Sequence, residues 1–334
     1  MTDKFEEKIP NDIKFFLLTY KKELINFSKP NVWISLSQIL FEYVLIALSI
    51  YACIFFWSIP LYIITLMFIA SRQHGLGIIL HDGTHFLICK NKKINNLITT
   101  LFLSLPLLTP LSKYRHSHFS HHRNPLTDND PDWIPRKPLK EWHFPQPKTE
   151  FLKMLIQYAF FIHMVKVIFS FKLSINYKIK YFLKGFIGLR VPKKQPESFK
   201  SKDYFILNIL FYVLVLGFVI YLNILYYFIL FWLFPILFWI PFIHRLRSIA
   251  EHSGVKNENV YNRSRTMYPN FIDRFFLGAN WNATYHLDHH LFPSIPSYRL
   301  KKFHKLLKEL PEYQKHAHIT KNGFYGVYKE CTTI

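Results

Sequence analysis

The chain has 334 residues, half of them apolar, with 34 Phe and 20 Tyr, yet it carries a formal charge of +21. One soluble domain does not reconcile those two properties, whereas a membrane protein with its charge on one side does. The three cysteines, Cys53, Cys89 and Cys331, are spaced for neither a disulfide framework nor a Cys-x-x-Cys metal site, which points to a reducing compartment.

Residues 1–31 mix charges and contain no apolar core, so they read as a cytoplasmic tail rather than a secretory signal. Four apolar runs follow at Leu36 to Trp57, Leu61 to Leu80, Tyr204 to Leu222 and Ile224 to Ile243. Each has about 20 residues, enough at ~1.5 Å per residue to cross a ~30 Å hydrocarbon core. They form two hairpins, with tight turns near Ser58 to Pro60 and near Asn223. All 42 Lys and Arg lie outside residues 32–71 and 203–243. The positive-inside rule then puts both termini and the long middle segment in the cytoplasm. Four buried helices of a large soluble protein would carry a polar stripe, which these runs lack.

Between the hairpins, Ile94 to Leu111 is apolar but broken by Pro106 and Pro110. It is expected to be re-entrant, leaving and rejoining the same side. Asn124 to Pro147 should be an ordered, largely non-helical loop. Phe151 to Tyr181 mixes aromatics with lysines and suits helices lying in the membrane interface. Val191 to Lys202 reads as a linker. The expected organisation is an all-α membrane protein of one domain, residues 32–315, with soluble tails at 1–31 and 316–334. Four transmembrane helices in two hairpins, re-entrant and interfacial helices and a cytoplasmic histidine-rich cap make up its fold.

Three histidine clusters stand just outside the apolar runs: His81 and His85, then His118, His121 and His122, then His286, His289 and His290. Residues at i, i+3 and i+4 share a helix face, so each cluster is expected to aim its rings at one point. Imidazole at that density suits iron, zinc, copper or nickel rather than calcium or magnesium. Asp82, Glu251 and Asp288 adjoin these positions. Each can accept the hydrogen bond that orients a ligating ring, or can equally be a solvated charge or helix cap. His74 lies two turns from His81, too far to share its metal, and is free to meet lipid or a neighbouring helix. His116 falls outside the ligand register. His143, His163, His244, His304, His316 and His318 have no partner at ligand spacing and read as surface or interfacial residues. Asp128, Asp130 and Asp132 lack the glycine and distal glutamate of a calcium loop, so a structural loop is expected.

The three clusters, their order among the spans, Tyr114-Arg115 ahead of His118, Asp-Pro-Asp at 130–132 and the run from Tyr285 to Pro296 resemble the integral-membrane fatty acid desaturase and hydroxylase superfamily. The resemblance covers roughly residues 70–135 and 240–310. It implies two non-haem iron ions held by the eight clustered histidines, with His252 as a ninth ligand, dioxygen as co-substrate and a membrane lipid or acyl chain as substrate. The sequence carries no haem-binding His-Pro-Gly-Gly, no cysteine set for an iron–sulfur cluster and no dinucleotide fingerprint, so a separate electron donor of ferredoxin or cytochrome b5 type is expected. A lipid or carotenoid hydroxylase or ketolase would use the same ligands. A metal transporter would place its sites near the bilayer midplane instead, and no nucleic-acid-binding motif accompanies the dispersed basic charge.

Overall fold

The computed structural model describes residues 10–162, 201–276 and 280–333, and they are mostly helical. In chain order the helices are α1 (Asn11–Thr19), α2 (Lys21–Phe27), α3 (Val32–Phe55), α4 (Ile59–Thr84), α5 (Lys92–Thr99), α6 (Leu111–Arg123), α7 (Lys148–Ala159), α8 (Ser201–Tyr221), α9 (Leu225–His252), α10 (Phe271–Phe276), α11 (His286–Leu291), α12 (Ser297–Leu307), α13 (Pro311–His316) and α14 (Gly323–Cys331). Four two-residue strands, β1 (Gln146–Pro147), β2 (Thr266–Met267), β3 (Ile319–Thr320) and β4 (Thr332–Thr333), form the parallel pairs β1–β4 and β2–β3.

Among the described residues three helices, α3, α4 and α9, with 24, 26 and 28 residues, are long and apolar enough to cross a membrane. The apolar part of α8, Ile206–Tyr221, is shorter. The sequence turns that start these helices are local. The Asn31 side chain accepts from the Trp33 and Ile34 amides, and Ser58 accepts from Leu61 ahead of α4, whose first turn holds Pro60. In α9, π-helical turns at Ile229–Leu233 and Pro235–Trp239 flank the proline, whose missing N–H and ring bulk spoil the regular ladder.

The α3–α4 hairpin is pinned by an ion pair inside its apolar length: Arg72 Nη1 lies 3.3 Å from Glu42 Oε2, and Trp281 Nε1 donates to Glu42 Oε1 at 2.7 Å. Both charges fall within helices whose apolar runs conceal them, and pairing is what makes their burial tolerable. Gly75 faces this carboxylate, and a Cβ there would stand 2.4 Å from Glu42 Oε1.

The segment from Lys92 to Leu111 turns back on itself. Beyond α5 a π turn at Thr100–Ser104 leads to a reversal with Leu108 at φ 55°. The carbonyls freed there accept from aromatic groups of other helices: Phe102 O from Tyr43 Oη at 2.8 Å, Leu105 O from Tyr212 Oη at 3.1 Å and Pro106 O from Trp232 Nε1 at 3.0 Å. Irregular backbone among apolar helices is satisfied by protein rather than by water.

The described parts of both terminal segments, from residue 10 and up to 333, belong to the packed body, unlike the soluble tails expected at 1–31 and 316–334. Ile13 and Phe16 of α1 are buried against Phe292 and Phe303, and Val327 and Cys331 of α14 are buried with Phe151 and Ile249. Apolar spacing in two short helices supplied too little signal to reveal this. The loop 124–147 is largely non-helical, as its prolines dictate. In the interfacial stretch, α7 buries Phe151, Met154 and Tyr158 and exposes Leu152 and Ile156, as the chain does Phe160 just past its end, while residues 163–181 lie outside the described residues, as does most of the linker from 191.

Candidate metal centre

Nine histidines meet where α4 and α9 end. His81, His85, His118, His122 and His289 form one group, and His121, His252, His286 and His290 form another. This corrects the expectation that each sequence cluster serves one point. On α6, His118 and His122 sit at i, i+4 and face the first group, whereas His121, about 100° round from His122 on a 3.6-residue helix, faces the second. On α11 the assignment is reversed: His286 and His290 join the second group, and His289 crosses to the first.

Within the first group, His118 Nε2 is 2.9 Å from His85 Nε2 and 2.9 Å from His122 Nε2, and His122 Nε2 is 3.0 Å from His289 Nε2. Within the second, His252 Nε2 is 3.2 Å from His121 Nε2 and 2.9 Å from His286 Nε2, and His290 Nε2 is 3.0 Å from His286 Nε2. Ligands at right angles around a metal with bonds of about 2.1 Å stand about 3 Å apart, which is the spacing found.

Hydrogen bonding alone does not account for the second group. The far nitrogens face acceptors: His121 Nδ1 is 3.0 Å from Asp130 Oδ2, His286 Nδ1 is 3.4 Å from Glu251 Oε1, and His252 Nδ1 is 3.4 Å from the Arg263 carbonyl. The His121 and His252 rings, hydrogen-bonded outward through Nδ1, turn bare Nε2 lone pairs on one another at 3.2 Å, an arrangement that a cation relieves. In the first group, His81 Nε2 is buried with no hydrogen-bond partner among the described residues. The donor set therefore fits two metal ions of the imidazole-binding class.

Burial is the main force holding six of the rings, His85, His118, His122, His286, His289 and His290, neutral, as ligation requires. It pushes His85 down to about 3, assisted by the Arg115 charge, and His122 down to about 2, assisted by His85 and His121. His118, His286, His289 and His290 are likewise held well below the usual imidazole range, first by burial and then by neighbouring histidines and, for His118 and His286, by Arg247. For Asp130, burial acts upward but is outweighed by the hydrogen bond with His121 and those from the Leu126 and Asp132 amides, which hold the carboxyl below its ordinary value.

Two buried arginines fix the helix ends that carry the rings. Arg115 donates to Thr84 O at 2.8 Å, to Gly83 O at 3.0 Å and to Asn96 Oδ1 at 2.9 Å, capping α4 beside His81 and His85. Gly83 lets α5 approach there, since a Cβ would meet Thr99 Oγ1 at 2.3 Å. Arg265 donates to Ile249 O and Ala250 O, each at 3.1 Å, and to Ser253 O at 2.8 Å, capping α9 beside His252.

Of the three carboxylates beside the clusters, Glu251 meets a ring of the group. Asp82 does not: it accepts from Ser297 N at 3.0 Å and Ser297 Oγ at 2.8 Å, docking α4 to the start of α12. Asp288 takes a hydrogen bond from Tyr313 and lies 2.8 Å from Nδ1 of His304, whose Nε2 is 2.7 Å from Tyr268 Oη. His304 is thus a buried structural residue, contrary to its surface reading, because α12 turns it onto α11. His244 is exposed, in keeping with its surface reading, with its ring 5.4 Å from that of His74. His74 Nε2 lies 3.4 Å from Arg247 Nη1, so it meets a neighbouring helix. His318 pairs with Glu330 at 2.8 Å, His316 with Glu312 at 3.3 Å, and His143 is exposed; His163 lies outside the described residues. Asp130 is the site residue that sequence reasoning left as part of a loop. The signal was its place in the Asp-Pro-Asp run, but only the fold of 124–134 brings it to His121.

A chamber of about 240 Å³ touches both groups, through His81 and His118 on one side and His121, His252 and His286 on the other, with Trp133 among its other walls. Beyond Arg247 and Glu251 lies a small, more apolar cavity of about 30 Å³, walled by Leu246, Met267 and Phe324.

A helical membrane scaffold that gathers three histidine boxes at the ends of its spans defines a class, and the comparisons agree: the fatty acid desaturase family profile matches residues 55–322. The chain belongs to the fatty acid desaturase family. It is 31% identical over 275 residues to the dihydrorhizobitoxine desaturase of Bradyrhizobium elkanii, covering 79% of this chain and 72% of that one. It is 25% identical over 284 residues to the chloroplastic omega-6 fatty acid desaturase of Glycine max, covering 80% and 62%, and 23% identical over 321 residues to that of Spinacia oleracea, covering 91% and 65%. The matches thus span less than two thirds of each plant enzyme's length.

Proposed function

We propose that the protein is a multi-pass membrane desaturase whose two histidine groups hold two non-haem irons and use dioxygen to introduce a C=C bond into an acyl chain carried by a lipid or an acyl carrier. The observation that carries this reading is the division of nine histidines into groups of five and four with Nε2 atoms about 3 Å apart. All nine are assigned as ligands. When bound, the irons supply the oxidising power needed to remove hydrogen from an unactivated methylene.

The chain's own residues do the remaining work. The chamber that touches both groups positions the carbon to be oxidised. Asp130 and Glu251 keep the His121 and His286 rings turned with Nε2 inward. Each turnover removes two hydrogens from substrate and reduces one dioxygen to two waters, so two further electrons and two protons enter from outside. A ferredoxin or cytochrome b5-type donor supplies the electrons. The distribution of Lys and Arg supports α8 as a fourth pass, with termini and metal centre in the cytoplasm.

Hydroxylation is the second reading, because the same ligands serve it and the relatives act on differently named substrates. Mass spectrometry of lipids from cells expressing wild type or His289→Ala with a suitable donor tests both. A His289-dependent product lacking two hydrogens establishes desaturation, and one that gains an oxygen moves the protein to the hydroxylases. Full activity in His289→Ala sinks the ligand assignment.

A further inference from the structure

Away from the metal centre, a groove runs between α2, the first turn of α3 and the outer face of α12. Arg299, Lys302 and Tyr298 line one side, Phe27 and Ile34 the other, and Glu23 is its one carboxylate. Arg299 is fixed in place, with Nη1 donating to the carbonyls of Asn26 and Phe27 at the end of α2. Tyr298 Oη accepts from the Asn31 amide at 2.9 Å, tying α12 to the start of α3. Lys302, one turn on from both, is exposed and has no ion-pair partner among the described residues.

The apolar side of the groove continues into a helix long and apolar enough to span a bilayer. Around this end the surface is apolar too, with Leu18 78%, Ile25 52% and Trp33 76% exposed. A tryptophan at the head of a span, beside short helices that expose apolar side chains, is how a chain marks the headgroup layer. Cations at that depth, backed by an apolar wall that leads along a span, complement a phosphate joined to acyl chains. An acidic protein surface would leave Phe27, Ile34 and Trp33 without a counterpart.

We propose that this groove is a headgroup site for one anionic phospholipid, whose phosphate pairs with Arg299 and Lys302 and whose chains lie along α3. The site is independent of the chemistry assigned above. Native mass spectrometry of the full-length protein in detergent, titrated with phosphatidylglycerol or phosphatidylcholine, tests it. Wild type should retain one phosphatidylglycerol in preference to phosphatidylcholine, and Lys302→Glu should weaken that retention by about tenfold. Lys301→Glu makes the same charge change about 100° round the helix from Lys302 and should leave retention intact. Equal weakening by both variants would assign the effect to diffuse charge and overturn the site, as would equal retention of the two lipids. Lys302→Ala gives a second reading, and unchanged iron content in every variant verifies the fold.

Discussion

The two histidine groups use the same parts in opposite ways. Each takes an i, i+4 pair from one short helix, one crossing histidine from the other short helix, and its remainder from the end of a long apolar helix. They differ in what lies behind the rings. Three rings of the four-membered group face an acceptor at Nδ1, whereas among the described residues none of the five rings of the other group does. The larger group is held by the packing of rings against one another, as in the His81 and His289 contact at 4.4 Å between centroids. One group is therefore oriented by hydrogen bonds and the other by crowding, and they should fail differently.

The largest effect should come from the pairs that face one group only. His118→Ala should empty the five-membered position first and His290→Ala the four-membered one, each with turnover lost, as read by iron per chain and by spectroscopy of the residual metal. Identical loss of both metals in both variants would mean that the groups do not bind separately. Next in size, Asp130→Ala should weaken metal retention or activity by about 10–100-fold through His121, while Asp82→Ala should act on the docking of α12 and leave iron bound in the protein that folds. Chelator competition on purified variants separates the two.

A smaller effect is expected from pH on the metal-free protein. The unfolded chain takes up protons on histidine near 6.5, whereas His85 and His122 in the folded chain resist until about 3 and about 2. Between those values the unfolded state binds more protons, so stability falls as pH falls below about 6.5. Thermal melts of the apo protein should show this decline, and bound iron should shift it to lower pH. A flat apo profile from pH 7 to 5 would show that the rings are not buried in the absence of metal.

The apolar runs and the boxes were legible because each is a local pattern whose meaning is set by length or spacing. The long helices shift the predicted ends by only a few residues at α3, but α9 runs on to His252, since its polar last turns bear a functional face that hydropathy alone reads as loop. The crossing of His121 and His289 follows from helix geometry, yet which neighbour each meets depends on how α6 and α11 face one another. His304 was misread for a related reason: beside Lys302 and Lys305 it reads as surface until a distant partner, Asp288, makes its burial tolerable. Asp82, open between orienting a ring and meeting solvent, meets Ser297 instead. The Glu42–Arg72 pair shows the same limit inside a span.

The exchange of ligands between α6 and α11 also sets an order of events during synthesis. Because His289 completes the first group and His121 can find its companions only when His286 and His290 exist, neither coordination sphere closes while the nascent chain is short of residue 290. The first four apolar runs will already have left the ribosome by then. On the two-iron assignment, iron would enter a chain whose apolar runs are already made, with residues 286–290 as the clasp that decides when it can stay.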